Sequence, residues 1–156
     1  MLNIRVVSIG KDKDQWITDG CEHYRKLLSR FARVEIELLP SLKASRSLSP
    51  SEIKAKEAEK LERAAGSGFL VALDGRGETL DSVSFAGRLE RLETDSRGAL
   101  TLIIGGAFGL KQRILEQADL IWSLSTLTYP HQLVRLIVLE QLYRAYSILH
   151  GTAYHK

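Results

Sequence analysis

Apolar positions recur along this chain with two different periods, and each change of period marks a new element. Residues 2–9 (LNIRVVSI) form a β-rich run stopped by Gly10, which predicts an opening strand and a turn. From Asp14, placed to cap a helix, Trp16, Ile17, Gly20, Tyr24, Leu27, Leu28 and Phe31 recur at helical spacing. Val34, Ile36 and Leu38 then alternate with Glu35 and Glu37, a half-buried strand that Pro40 closes. Residues 41–49 (SLKASRSLS) are Ser-rich and basic, keep no period, and predict an exposed, mobile loop. Ser49 and Pro50 suit the cap and first position of a helix that runs to about Ala65 and stops at Gly66. Its many Lys and Glu residues read as mostly solvated surface pairs.

The second half repeats the alternation with stronger strands. Residues 69–73 (FLVAL) are a continuous apolar run ending at Asp74-Gly75, and a helix follows over about 82–93. Residues 100–104 (LTLII) run straight into Gly105-Gly106, 110–117 suit a short helix, and 120–124 suit a further strand. Pro130 opens a long last helix over about 131–149, which Gly151 ends. Strands alternating with helices predict an α/β fold: one domain over residues 1–156, with a mostly parallel sheet and helices on both faces. Ligands in such sheets bind beyond the carboxyl ends of the strands, here the loops after Leu73, Ile104 and Leu124. The last helix is apolar nearly all round, from Leu133 to Leu149. One small sheet covers one side, so a partner subunit is expected on the other.

Composition narrows the class without choosing a function. A hydrophobic fraction of 44% and a charged fraction of 26% are those of a soluble globular protein. No apolar run is long enough to span a bilayer, and the first ten residues lack a leader pattern, so neither membrane insertion nor secretion is expected. The single cysteine, Cys21, allows no disulfide within one chain and no cysteine-built metal site. Its helical setting suggests a packed residue, and a reducing cytoplasm is the expected compartment. The net charge of +3 permits an anionic partner such as RNA but does not select one.

Three segments could carry chemistry. Gly105-Gly106-Ala107-Phe108-Gly109 follows a buried-type strand, where glycines let the backbone approach a ligand. It is neither the dinucleotide-binding spacing nor a phosphate loop, and alone it reads as a turn. Residues 124–131 (LSTLTYPH) are hydroxyl-rich and alone read as a capping segment, with Thr128 or a neighbour serving the helix start. The tail, Tyr154-His155-Lys156, alone reads as frayed.

Taken in order, these pieces are more specific. Ile103-Ile104-Gly105-Gly106 with Gly109-Leu110, Trp122-Ser123-Leu124-Ser125, Pro130-His131, Leu133-Val134-Arg135, Glu140-Gln141-Leu142-Tyr143-Arg144-Ala145 and Tyr154-His155 stand as in one family. The chain resembles the bacterial large-subunit ribosomal RNA methyltransferase H family, the pseudouridine N3-methyltransferases of the SPOUT superfamily, over essentially its whole length. It departs at Ala107-Phe108, where many relatives carry Pro-Glu or similar.

The resemblance implies a C-terminal trefoil knot within about residues 69–150, a homodimer, and S-adenosyl-L-methionine as cofactor, with no metal. It places cofactor contacts at Leu73, Gly105, Leu124, Ser125, Thr126, Leu127, Thr128 and Tyr129, the same strand-end loops that topology selects. It also implies methylation at N3 of a pseudouridine in the intersubunit hairpin of 23S rRNA, on the assembled ribosome. N3 carries an imide proton that must leave, so a neutral histidine or a nearby arginine is needed. His155 and Tyr154 in the tail, with Arg135, are the expected catalytic residues, and His131 is a further candidate. Arg144, four residues after Glu140, reads as an i,i+4 ion pair. Lys43, Arg46, Arg76, Lys111, Arg113, Arg135 and Lys156 could meet phosphates. Two other classes remain open: an RNA- or ribosome-binding protein that keeps the fold without catalysis, and a flavodoxin-type nucleotide or flavin binder.

Overall fold

A computed structural model describes residues 1–43, 45–95 and 98–156. Ala44, within the segment read as a loop, and Ser96 and Arg97 lie outside the described residues. Among the described residues five strands and five helices alternate: β1 (Leu2–Ile9), α1 (Gln15–Leu28), β2 (Ala32–Leu39), α2 (Pro50–Ala65), β3 (Phe69–Thr79), α3 (Ser82–Thr94), β4 (Ala99–Ile104), α4 (Gln112–Gln117), β5 (Leu120–Ser123) and α5 (His131–Leu149).

All strand pairs are parallel, in the order β2-β1-β4-β3-β5. The central strands are apolar on both faces because both faces are covered. Ile4, Val6, Leu100, Leu102 and Ile104 pack with α1, α3 and α5 on one side. Val7, Ile9, Ala72 and Ile103 pack with α2 and α4 on the other. The expected architecture therefore holds, and the C-terminal ends of β4, β3 and β5 lie side by side at one edge.

Local chemistry explains most boundaries. Ser49 and Glu52 form a reciprocal capping box at α2, with Pro50 in its first turn. Asp14 precedes α1 but makes no side-chain cap; its carboxylate accepts from Gln132 Nε2 at 2.9 Å and ties α1 to α5. Phe31 lies beyond α1, not within it. Its ring stacks on Tyr146 and His150, with centroids 5.4 and 4.8 Å away. Inside the 41–49 segment, Ser45 and Leu48 exchange backbone hydrogen bonds of 3.3 Å, so a tight turn interrupts the loop. Cys21 is buried, and that burial pushes its thiol up to about 11, as a packed residue requires.

Two expectations need correction. β3 does not stop at Leu73: its pairing with β5 breaks there and resumes at Glu78, so that both residues face Trp122. Between them the chain loops out around an Asp74–Arg76 ion pair, and sequence pattern reads that excursion as the end of the strand. The last helix is also better covered by its own chain than its composition suggests. α5 lies against α1 and α3 as well as the sheet, and none of its residues is exposed. Leu133, Leu136, Ile137, Tyr143 and Leu149 stay half-buried.

Candidate active site

Three strand-end loops enclose one cavity. Leu73 and Asp74 come from the point where β3 breaks its pairing with β5, Gly105 and Gly106 from the glycine loop after β4, and residues 123–131 close the third side. The cavity measures about 490 Å³, within the range of small-molecule sites. Leu73, Leu110, Leu124 and Leu127 give it apolar walls. Trp122 forms part of the wall, stacked on Phe85 with centroids 4.1 Å apart. Its indole N–H has no partner among the described residues.

Of the eight residues expected to contact a cofactor, seven line this cavity: Leu73, Gly105, Leu124, Ser125, Leu127, Thr128 and Tyr129. Thr126 is exposed and does not line it. Ser125 shapes the loop from within: its hydroxyl accepts from Leu127 N at 3.0 Å, and its carbonyl accepts from Ser123 Oγ at 3.1 Å. Thr128 does not cap α5, whose start at Pro130 carries no side-chain cap.

His131 reaches the cavity from the first turn of α5. Its ring lies against Gly10, where the backbone has φ +102° and a β-carbon would sit 2.6 Å from Nε2. Glycine at the end of β1 therefore makes room for the imidazole. Burial holds the imidazole below its ordinary pKa, helped by the charges of Arg135 and Lys13 and opposed by Asp12. His131 is thus neutral at neutral pH, with a lone pair available.

Arg135 sits one turn further on and is fully buried, 0% exposed. It donates to Ser8 Oγ at 2.8 Å and pairs with Asp12. This guanidinium lies outside the cavity wall and bolts α5 to the end of β1.

The tail is ordered against the far part of α5. Tyr154 Oη lies 3.0 Å from both Tyr24 Oη and Glu140 Oε1, its ring packs on Tyr143, and Arg144 lies over its face. Arg144 donates to Glu140 as the i,i+4 spacing predicts. His155 Nδ1 approaches Arg144 Nη1 at 3.4 Å. Burial, then the hydrogen bonds to Tyr24 and Glu140, push the Tyr154 phenol up, so it remains protonated. At 1.5 Å of rise per residue, Glu140 is about 13 Å along α5 from His131. Within one chain, Tyr154 and His155 are therefore not at the cavity.

Sequence reasoning missed Asp74, Leu110 and Val134 in the cavity wall. Asp74 directly follows a strand selected on topology, so the same rule could have found it. Arg76 donates to it at 2.8 and 2.9 Å and holds its carboxyl below the usual range. Glu57 was missed as well. Ile53, Glu57 and Leu61 share one face of α2, so the carboxyl falls on the buried stripe and is only 5% exposed. Its Oε2 has no hydrogen-bond partner among the described residues, and a β-carbon on Gly106 would lie 2.8 Å from it. The glycine loop rests directly on this carboxyl.

Among the described residues, no helix is long and apolar enough to cross a membrane, and no cluster of His, Cys, Asp or Glu could hold a metal. A family model described as "Predicted SPOUT methyltransferase" matches residues 2–155. The chain is 43% identical to the ribosomal RNA large subunit methyltransferase H of Moorella thermoacetica, covering all of both chains. It is 40% identical to the protein of the same name from Carboxydothermus hydrogenoformans, over 99% of this chain and 100% of the relative. A solved structure from Bordetella pertussis Tohama I, called a probable methyltransferase, has a TM-score of 0.60 at 15% identity. It covers 91% of this chain and 93% of its own, a likeness of fold alone.

Proposed function

Because this chain belongs to the SPOUT methyltransferases, and within them to the ribosomal RNA large subunit methyltransferase H family, we propose that it methylates N3 of a pseudouridine in 23S rRNA. The target lies in the intersubunit hairpin of the assembled ribosome. The protein works as a cytoplasmic homodimer, with a trefoil knot within residues 69–150. The observation that carries this reading is the full-length match to curated rRNA methyltransferases, together with one cavity built from the three expected loops.

S-adenosyl-L-methionine supplies the activated methyl group. The residues present fit it. The cavity joins apolar leucine walls, suited to an adenine face, to backbone donors and acceptors in residues 105–109 and 124–129, suited to its edge. Asp74, a carboxylate in the wall, adds a polar group for the rest of the molecule. Leu73, Gly105, Leu124, Ser125, Leu127, Thr128 and Tyr129 hold the cofactor.

His131 is the acid–base residue. Its neutral imidazole accepts the N3 proton, and a pKa held down by burial and by Arg135 keeps that imidazole free below pH 7. Tyr154 and His155 act on the reaction only where a second copy brings its tail to this cavity. The half-buried apolar residues of α5 support such a pairing.

The test is transfer of labelled methyl from S-adenosyl-L-methionine to ribosomes lacking the modification, with the product nucleotide mapped by mass spectrometry. Label at N3 of one pseudouridine is expected. Folded protein that binds ribosomes but transfers no label would establish a non-catalytic binding protein instead.

A further inference from the structure

The glycine loop carries one side chain that the cofactor reading leaves unused. Phe108 is at the tip of the tight turn closed by Gly109 N donating to Gly106 O at 3.1 Å, and it is 40% exposed. Its neighbours Ala107 and Gly109 line the cavity, while Phe108 does not. An exposed phenyl ring on a two-residue turn gains little from the fold, since leaving apolar area in water forgoes the benefit of burial. The ring stands at the cavity's outer rim.

The surroundings of this ring are basic. Arg76 donates to Leu110 O at 3.2 Å, which places its guanidinium beside the turn, with more than half of the side chain exposed. Lys111 follows Leu110 directly, and Lys54 is close enough for its charge to act on Asp74. Neither lysine has an acidic partner among the described residues. The facing acids are few. Asp74 is held by Arg76, Glu62 by Arg113, and Glu57 is buried beneath Gly106. A flat aromatic face beside two lysines without acidic partners and a half-exposed arginine, next to the cavity, has the chemistry of a single-stranded nucleic acid platform.

We infer that Phe108 stacks on an unpaired base of the RNA substrate next to the methylated nucleotide, while Lys54, Arg76 and Lys111 hold the flanking phosphates. This rests on the RNA methyltransferase reading and deepens it by assigning the substrate side of the same site. Stacking is tolerant of base identity because every base presents a π-face, so Phe108 contributes grip and registration of the strand. The cofactor lies on the inner side of the same loop.

The test is methyl transfer to unmodified ribosomes by wild type, Phe108→Ala and Phe108→Tyr at saturating S-adenosyl-L-methionine. Cofactor affinity is measured separately by calorimetry, and oligomeric state by sedimentation. Phe108→Ala is expected to raise KM for ribosomes roughly 5- to 150-fold, the range of one lost base–aromatic stack. Cofactor affinity stays unchanged, and Phe108→Tyr restores KM. Lys54→Ala and Lys111→Ala are each expected to lower the salt dependence of ribosome binding by about one phosphate contact. An unchanged KM in an active Phe108→Ala enzyme overturns the inference. So does a matching loss of cofactor affinity, or a changed oligomer, which would mean the ring is covered by a second copy. If the wild type transfers no methyl, the parent reading fails. Co-sedimentation of wild type and Phe108→Ala with ribosomes then decides the role of Phe108 alone, and equal binding overturns it.

Discussion

Arg135→Ala separates two roles that the position could hold, because catalysis and architecture predict opposite pairs of measurements. In the structure this guanidinium is fully buried, bonded to Ser8 Oγ and paired with Asp12. Truncation leaves the Asp12 carboxylate, only 11% exposed, without its cation, and leaves the buried Ser8 hydroxyl without its donor. Removing one member of a buried ion pair costs about 3–5 kcal/mol, because the other charge remains in a low-dielectric setting. At about 2–4 °C per kcal/mol for a chain of this size, that corresponds to a fall in Tm of roughly 6–20 °C. The assay is urea unfolding at fixed protein concentration, with an unchanged m-value required before the midpoint is converted to free energy. Arg135→Lys keeps the charge but cannot serve both partners in the same geometry, so it falls between wild type and Ala. A loss below 1 kcal/mol accompanied by abolished methyl transfer would refute the architectural reading and return Arg135 to the reacting groups.

Two further outcomes follow from the same geometry. His131→Asn is expected to lower methyl transfer about 10²- to 10⁴-fold, the usual contribution of a positioned acid–base group. The acid limb of the wild-type pH profile should fall below the ordinary imidazole pKa, since burial lowers that of His131; a limb above pH 7 contradicts the assignment. Glu57→Gln tests the carboxyl under the glycine loop. Burial raises its pKa, with Lys60 opposing, so the folded state favours the protonated acid. That stabilisation is present below the ordinary carboxyl range and lost as pH rises through the raised value. The Tm advantage of Glu57→Gln over wild type should therefore be larger at pH 7.5 than at pH 4.5, and an equal difference at both would place the carboxyl in solvent.

The cavity was legible in the sequence because its makers announce themselves locally. In a parallel sheet covered on both faces, an apolar run that breaks into glycine or a hydroxyl-rich segment marks the carboxyl end of a strand. Three such breaks, after Leu73, Ile104 and Leu124, are the three loops around the cavity. Asp74 obeys the same rule, and only the resumption of pairing at Glu78 escapes it. Its excursion to Glu78 depends on an ion pair with Arg76, which leaves no mark on periodicity.

The acid–base candidates were harder to place for the converse reason: their settings are fixed by partners far along the chain. Tyr154 looks frayed until Tyr24 and Glu140 are brought to it, and Arg135 looks available until Ser8 and Asp12 close around it. His131 owes its neutral form first to burial, then to the charges of Arg135 and Lys13 against the opposing Asp12, and its place to the missing side chain of Gly10. The end of β1 and the start of α5 thus behave as one unit, joined by a charge pair in the interior. A substitution that loosens Arg135 should reach the chemistry through His131. In Arg135→Lys, which keeps the cation but shifts its position, the activity loss should appear as a displaced acid limb rather than a uniform fall across pH. A uniform fall with the limb unmoved would mean that the two ends are held together by packing alone and that the buried pair does not govern the imidazole.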